Sequence, residues 1–152
     1  MTYDKDRILN EVISIFGTVL GLDRDSISEN SRPLLDLGAE MLDYHFICRH
    51  FENRYNIKLF RGRLLRKATF YLKRNIFESK EKITRQGAHL LQVRVPECED
   101  SIKPGMHVDE ILKHFTIGAI TNRILQGLNE PDKSGEELYE EWLLNYKKKY
   151  LD

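Results

Sequence analysis

Residues 34–46 read LLDLGAEMLDYHF. Gly38 and Ala39 close a long, turn-rich connection, LDRDSISENSRPLL over 22–35, and the residues after them change period. From about 40 to 56, Leu42, Ile47, Phe51 and Tyr55 form an apolar stripe of helical spacing, ended near Asn56. Upstream, Ile8, Val12, Ile15, Phe16 and Val19 recur at three- and four-residue steps within 4–20, and Gly21 suits the C-terminal cap of that helix.

Downstream the same period persists. RGRLLRKATFYLKRNIF (61–77) places Leu65, Ala68, Leu72 and Ile76 on one face of an amphipathic helix with a cationic back. SKEKITRQGAHLLQVRVPE (79–97) reads as helix continuing to Leu91, the alternative being a short strand at LLQVRV before Pro96. Pro104-Gly105 marks a break, and MHVDEILKHF (106–115) is a short helical segment. Thr116 is placed to cap a helix with Ile117, Ile120 and Ile124 in phase. After a connector containing Asn129, Pro131 and Gly135, a last helix opens with Ser134 and Glu137 at capping-box spacing and ends on Lys147, Lys148 and Lys149. The expected fold is all-α, a single domain of 152 residues. Its expected core includes Ile8, Val12, Phe16, Val19, Leu37, Leu42, Ile47, Phe51, Ile117, Ile120 and Ile124.

Composition narrows the function classes. No apolar run approaches the roughly 20 residues that span a bilayer, and the charged start MTYDKDRILNEV lacks the apolar centre of a signal peptide. Cys48 and Cys98 stand far apart with no C-x-x-C spacing, as expected of reduced thiols in a cytoplasmic protein. Net charge is zero, yet unevenly spread: residues 1–60 carry 7 Lys and Arg against 10 Asp and Glu, 61–95 carry 10 against 2, and 96–152 carry 7 against 12. The basic middle could cover the acidic flanks within the fold, dock an acidic protein, or hold phosphate groups of nucleic acid or anionic lipid. A pI near 7.0 speaks against nucleic acid.

Several phrases together resemble the acyl carrier protein family: the first helix ILNEVISIFGTVLGL, the loop SISENSRPLLDLG, the helix opening GAEMLD and closing FENRYNIKL, and FTIGAITNRI near the end. About 75 residues carry the likeness. It implies an acyl-carrier-type four-helix bundle, with 61–106 as a basic helical insertion and 130–152 as an added C-terminal helix. The family attaches 4′-phosphopantetheine to the serine of an Asp-Ser-Leu motif, near the positive end of a helix dipole. Here Glu40 and Leu42 match the flanks and Met41 holds the serine's place. A thioether cannot form the phosphodiester, Ser31 lies ten residues earlier and Tyr44 a turn later, so no cofactor is expected.

The resemblance also implies an acidic docking edge on that helix. Asp43 and Glu52 match it, whereas Phe46, Cys48, Arg49, His50 and Arg54 depart from it. The candidate partner-binding residues are therefore Met41, Asp43, Phe46, Arg49, Arg66, Lys67, Lys73 and Arg74, for a protein partner such as a biosynthetic enzyme or a true acyl carrier protein. His45, Cys48 and His50 form an H-x-x-C-x-H cluster, but His50 points away from Cys48 on a helix and no second cluster completes a tetrahedral set, so no metal is expected. No nucleophile elbow or phosphate loop occurs, so no catalytic residue is expected either. The expected function is non-enzymatic: a protein-interaction component of a lipid, fatty-acid or natural-product biosynthesis pathway, reached by fold analogy. The alternatives are an acyl carrier holding cargo non-covalently or at another residue, and a module binding nucleic acid or an anionic surface through the basic segment.

Overall fold

The computed structural model describes residues 3–152. The chain is all-α apart from one minimal hairpin: α1 (Lys5–Leu20), α2 (Pro33–Asp36), α3 (Met41–Tyr55), α4 (Leu64–Leu72), β1 (Glu78–Ser79), β2 (Lys82–Ile83), α5 (Arg85–Arg94), α6 (Ile117–Asn129) and α7 (Gly135–Tyr146). Among the described residues no helix is long and apolar enough to cross a membrane.

Local chemistry sets the helix ends. Asp4 caps α1 by accepting from the Asp6 amide, and Gly21 ends it at φ 68°. Thr116 accepts from the Ala119 amide at the start of α6, and Ser134 and Glu137 cap α7 reciprocally. The chain beyond α7 continues as one wider π-type turn, Lys147–Leu151. The segment 106–115 forms two 3-10 turns, Val108–Glu110 and Leu112–His114.

Two hydrophobic cores share α6. The first joins Ile8, Val12 and Phe16 of α1, Ile47 and Phe51 of α3, and Ile117, Ile120 and Ile124 of α6. Val19 and Leu37 pack on its edge, half-buried. The second joins Leu65 and Leu72 of α4, Phe77 just before β1, Leu90 and Leu91 of α5, Ala119 of α6, and Tyr139 and Leu143 of α7. The basic segment and the C-terminal helix thus build a core together. Lys67 Nζ reaches Glu136 and Glu140 at 2.5 and 2.7 Å, and Arg74 pairs with Asp152 at 2.8 Å.

Three expectations fail, each for a geometric reason. Leu42 is 79% exposed rather than core. Nine residues at 3.6 per turn separate it from Phe51, which puts the two on opposite sides of α3, so the stripe begins at Ile47. Ile76 leaves its expected face because α4 stops at Leu72, with Lys73 left-handed at φ 56°. The helix expected through 79–91 is interrupted. Glu78–Ser79 pairs antiparallel with Lys82–Ile83 across Lys80 and Glu81, both at positive φ, and α5 starts only after Thr84 caps the Gly87 amide. LLQVRV is not a strand; Leu90–Arg94 is helical.

Candidate functional site

A cavity of about 690 Å³ opens where the two cores meet. Its walls come from distant parts of the chain: the α2–α3 junction, the α3–α4 connection, the end of α5, the 108–115 turns, α6 and the start of α7. Leu34, Met41, Phe60, Leu64, Val108 and Leu112 supply the accessible apolar surface, backed by the buried Leu65, Val95, Ile120 and Leu138. The volume falls within the ordinary range of small-molecule sites.

The polar residues on this wall are mostly cationic. Seven are Lys or Arg (Lys58, Arg61, Arg63, Arg66, Arg94, Lys113, Arg123), against the acids Glu40, Glu78 and Asp109. Arg61 and Arg63 are partnered, by Glu52 at 3.0 Å and Asp109 at 3.3 Å. Arg94 and Arg123 differ. Arg94 lies over the Tyr139 and Trp142 rings, 5.2 and 5.3 Å from their centroids, and donates to Gln126 Oε1 at 3.2 Å. Arg123 donates to the Arg94 carbonyl at 2.7 Å and to Glu97 at 3.1 Å, while its Nε is buried without an acceptor. Burial, then the neighbouring Arg123 charge, pushes the Arg94 guanidinium down to about 10; burial also lowers Arg123, against the pull of Glu97.

Tyr44 and Cys48 complete the wall beside α3. Burial holds the Tyr44 phenol well above its usual range, with the adjacent Cys48 adding to the effect. Burial likewise raises the Cys48 thiol to about 11. The thiolate is the nucleophile, so in a Cys98→Ala background Cys48 will react with iodoacetamide at pH 8 about a hundredfold more slowly than an ordinary free thiol. The rate will climb about tenfold per pH unit until about pH 11, where Cys48 ionises. A rate within tenfold of free cysteine at pH 8 would show that the site is open to water.

The expected partner residues separate into three groups. Met41, 47% exposed, sits on the cavity wall, and Arg66 lines it too. Phe46, 62% exposed, continues outward from Met41 along α3 with Arg49 exposed on the same face, and Leu42, expected in the core, joins them at 79% exposed. Asp43 accepts from the Glu40 amide at 2.8 Å and is engaged in the N-terminal cap of α3. Lys67 and Arg74 are held by the chain's own carboxylates, and Lys73 is exposed at the end of α4. Arg66 stacks over the exposed Phe70 ring at 6.0 Å. Among the described residues no three His, Cys, Asp or Glu side chains gather as a metal site; Cys48 lines the cavity, while His50 borders a shallow hollow against α1.

Sequence reasoning passed over Arg94, Arg123 and Glu97 as site residues. Arg123 on the apolar α6 gave the available signal, since a cation three residues from Ile120 and next to Ile124 cannot easily reach bulk water. Comparison with known proteins yields no matching family model, no significantly similar curated protein and no significantly similar solved structure.

Proposed function

We propose that this protein is a non-enzymatic carrier that holds an apolar small molecule without a covalent bond, in the cavity between its two cores. The observation that carries the reading is that cavity, with Met41 on its wall. Met41 stands where the acyl carrier resemblance expects an attachment serine. A thioether cannot be phosphopantetheinylated, yet it offers soft, adaptable contact to an apolar chain. A carrier of this lineage would have exchanged a tethered cargo for an enclosed one.

A second reading, an interaction component of a lipid or natural-product pathway, draws on the exposed Leu42 and Phe46 beside the cavity wall. Exposed apolar residues of this size, grouped on one helix face, are the usual mark of a contact surface. The two readings are compatible if cargo passes across that face to a partner enzyme.

Mass spectrometry of the purified protein, under native and then denaturing conditions, tests the proposal. Titration with 1-aminoanthracene, a neutral apolar fluorophore, supplements it. Extra mass in the native spectrum alone, with saturable fluorophore uptake, is the expected result. The bare chain mass in both spectra and no uptake would overturn the carrier reading and leave the interaction component. Extra mass that survives denaturation would show a covalent group and overturn the non-covalent carrier reading.

A further inference from the structure

Resting on the carrier reading, we propose that the cargo is a long-chain carboxylate, its head held between Arg123 and Arg94 and its tail laid along the apolar wall that Phe60, Leu64 and Met41 leave accessible. Three observations converge on an anionic head. First, Arg94 and Arg123 are adjacent and share one neighbouring carboxylate, Glu97, which reaches only Arg123. Arg94 has a neutral amide and two aromatic faces around it. This leaves a surplus positive charge beside the cavity. Second, the Arg123–Glu97 pair is incompletely matched: Arg123 Nε is a buried donor without an acceptor and Glu97 Oε2 a buried acceptor without a donor, which leaves a guanidinium N–H for an incoming oxygen. Third, seven Lys and Arg line the wall against three acids, and although Glu52, Glu110 and Glu97 behind it answer Arg61, Lys113 and Arg123, a small excess of positive charge remains.

The apolar surface selects the tail. A small inorganic anion would neutralise the guanidinium pair and leave the half-buried Leu34, Phe60, Leu64, Val108 and Leu112 and the more exposed Met41 uncovered. An alkyl chain covers them, with a gain that grows with each methylene removed from water. A carboxylate matches the guanidinium fork with two parallel charge-assisted hydrogen bonds. Burial now opposes both charges, and the Arg123 charge further opposes that of Arg94; a bound anion offsets the second effect. The Tyr44 hydroxyl, on the same wall, offers a further donor.

Isothermal titration at pH 7 with decanoate and with decanol, two probes of equal chain length, separates head from tail. Decanoate is expected to bind about tenfold to a hundredfold more tightly, the scale of one charge-assisted hydrogen bond. Arg94→Gln and Arg123→Gln should each erase most of that preference while decanol affinity stays within about threefold, with circular dichroism confirming that each variant is folded. Equal binding of the two probes to the native protein, or tighter decanol binding, overturns the carboxylate inference and leaves the carrier reading standing. Binding of neither overturns both. Should a variant fail to fold, the comparison on the native protein decides alone.

Discussion

Gly87→Ala will destabilise the protein by about 3 kcal/mol or more, although Gly87 lies inside a helix. Propensity alone predicts the opposite sign, a gain of about 1 kcal/mol for replacing a helical glycine with alanine. Packing wins because a Cβ at Gly87 would stand 2.0 Å from the Phe77 carbonyl oxygen and 2.9 Å from its carbon. That carbonyl cannot retreat easily. It accepts from the Thr84 amide at 3.1 Å, the Phe77 ring is fully buried in the second core, and the adjoining hairpin is pinned by its own pairing. The nearest relief would part α5 from the hairpin and break the Thr84 cap on the Gly87 amide. Urea unfolding followed by circular dichroism measures the effect. A loss below about 1 kcal/mol would show that hairpin and helix separate without strain, and that this close approach does not fix the second core.

That contact explains why one half of the fold was readable and the other was not. The first core follows from spacing: Ile8, Val12 and Phe16 on α1, and Ile117, Ile120 and Ile124 on α6, repeat at helical steps and are buried as their period requires. The caps at Gly21, Thr116 and Ser134 are equally local, each needing only a few consecutive residues. Leu42 misled because a stripe of four apolar residues fits a helix even when its first member is half a turn out of phase. The turn at Lys80 and Glu81 carries no glycine or asparagine, so a left-handed pair there has no signature in composition. Ile76 fell with it, since its place on the α4 face assumed that Lys73 would continue the helix.

The cavity lay beyond any local rule. Its walls join Ala39, Leu65, Val95, Phe115, Ile120 and Leu138, which no window of sequence contains. The basic segment reads as one cationic block in sequence, yet folding sorts it by partner. Lys67 and Arg74 bind α7 and the C-terminal turn, Arg61 binds Glu52, and Arg94 enters the interior beside Arg123. Mutual attraction of basic middle and acidic flank accounts for the first three. It does not account for Arg94, which lies against aromatic rings and an amide and bonds no carboxylate directly.

Glu97→Ala will lower stability by about 2–4 kcal/mol, because it strips the one carboxylate from a pair of guanidiniums set among apolar groups. The figure lies below the full cost of breaking a completely buried pair, since the side chains of Glu97 and Arg123 keep 17% and 27% accessibility. Glu97→Gln will lose less, about 1–2 kcal/mol, as its amide oxygen can still accept from Arg123 and from Asn122, which now donates at 2.9 Å. The difference between the two variants isolates the charge from the hydrogen bonds. Decanoate at a hundred times its dissociation constant should stabilise the native protein by about 2.7 kcal/mol. At that same decanoate concentration the gain should be larger in Glu97→Ala, whose surplus charge has no carboxylate left to meet it. A gain that is equal in both proteins would place the carboxylate head away from Arg123, because a head beside that guanidinium must sense whether Glu97 is there. Thermal melts with decanoate and with decanol make the comparison directly, and decanol should shift both proteins alike.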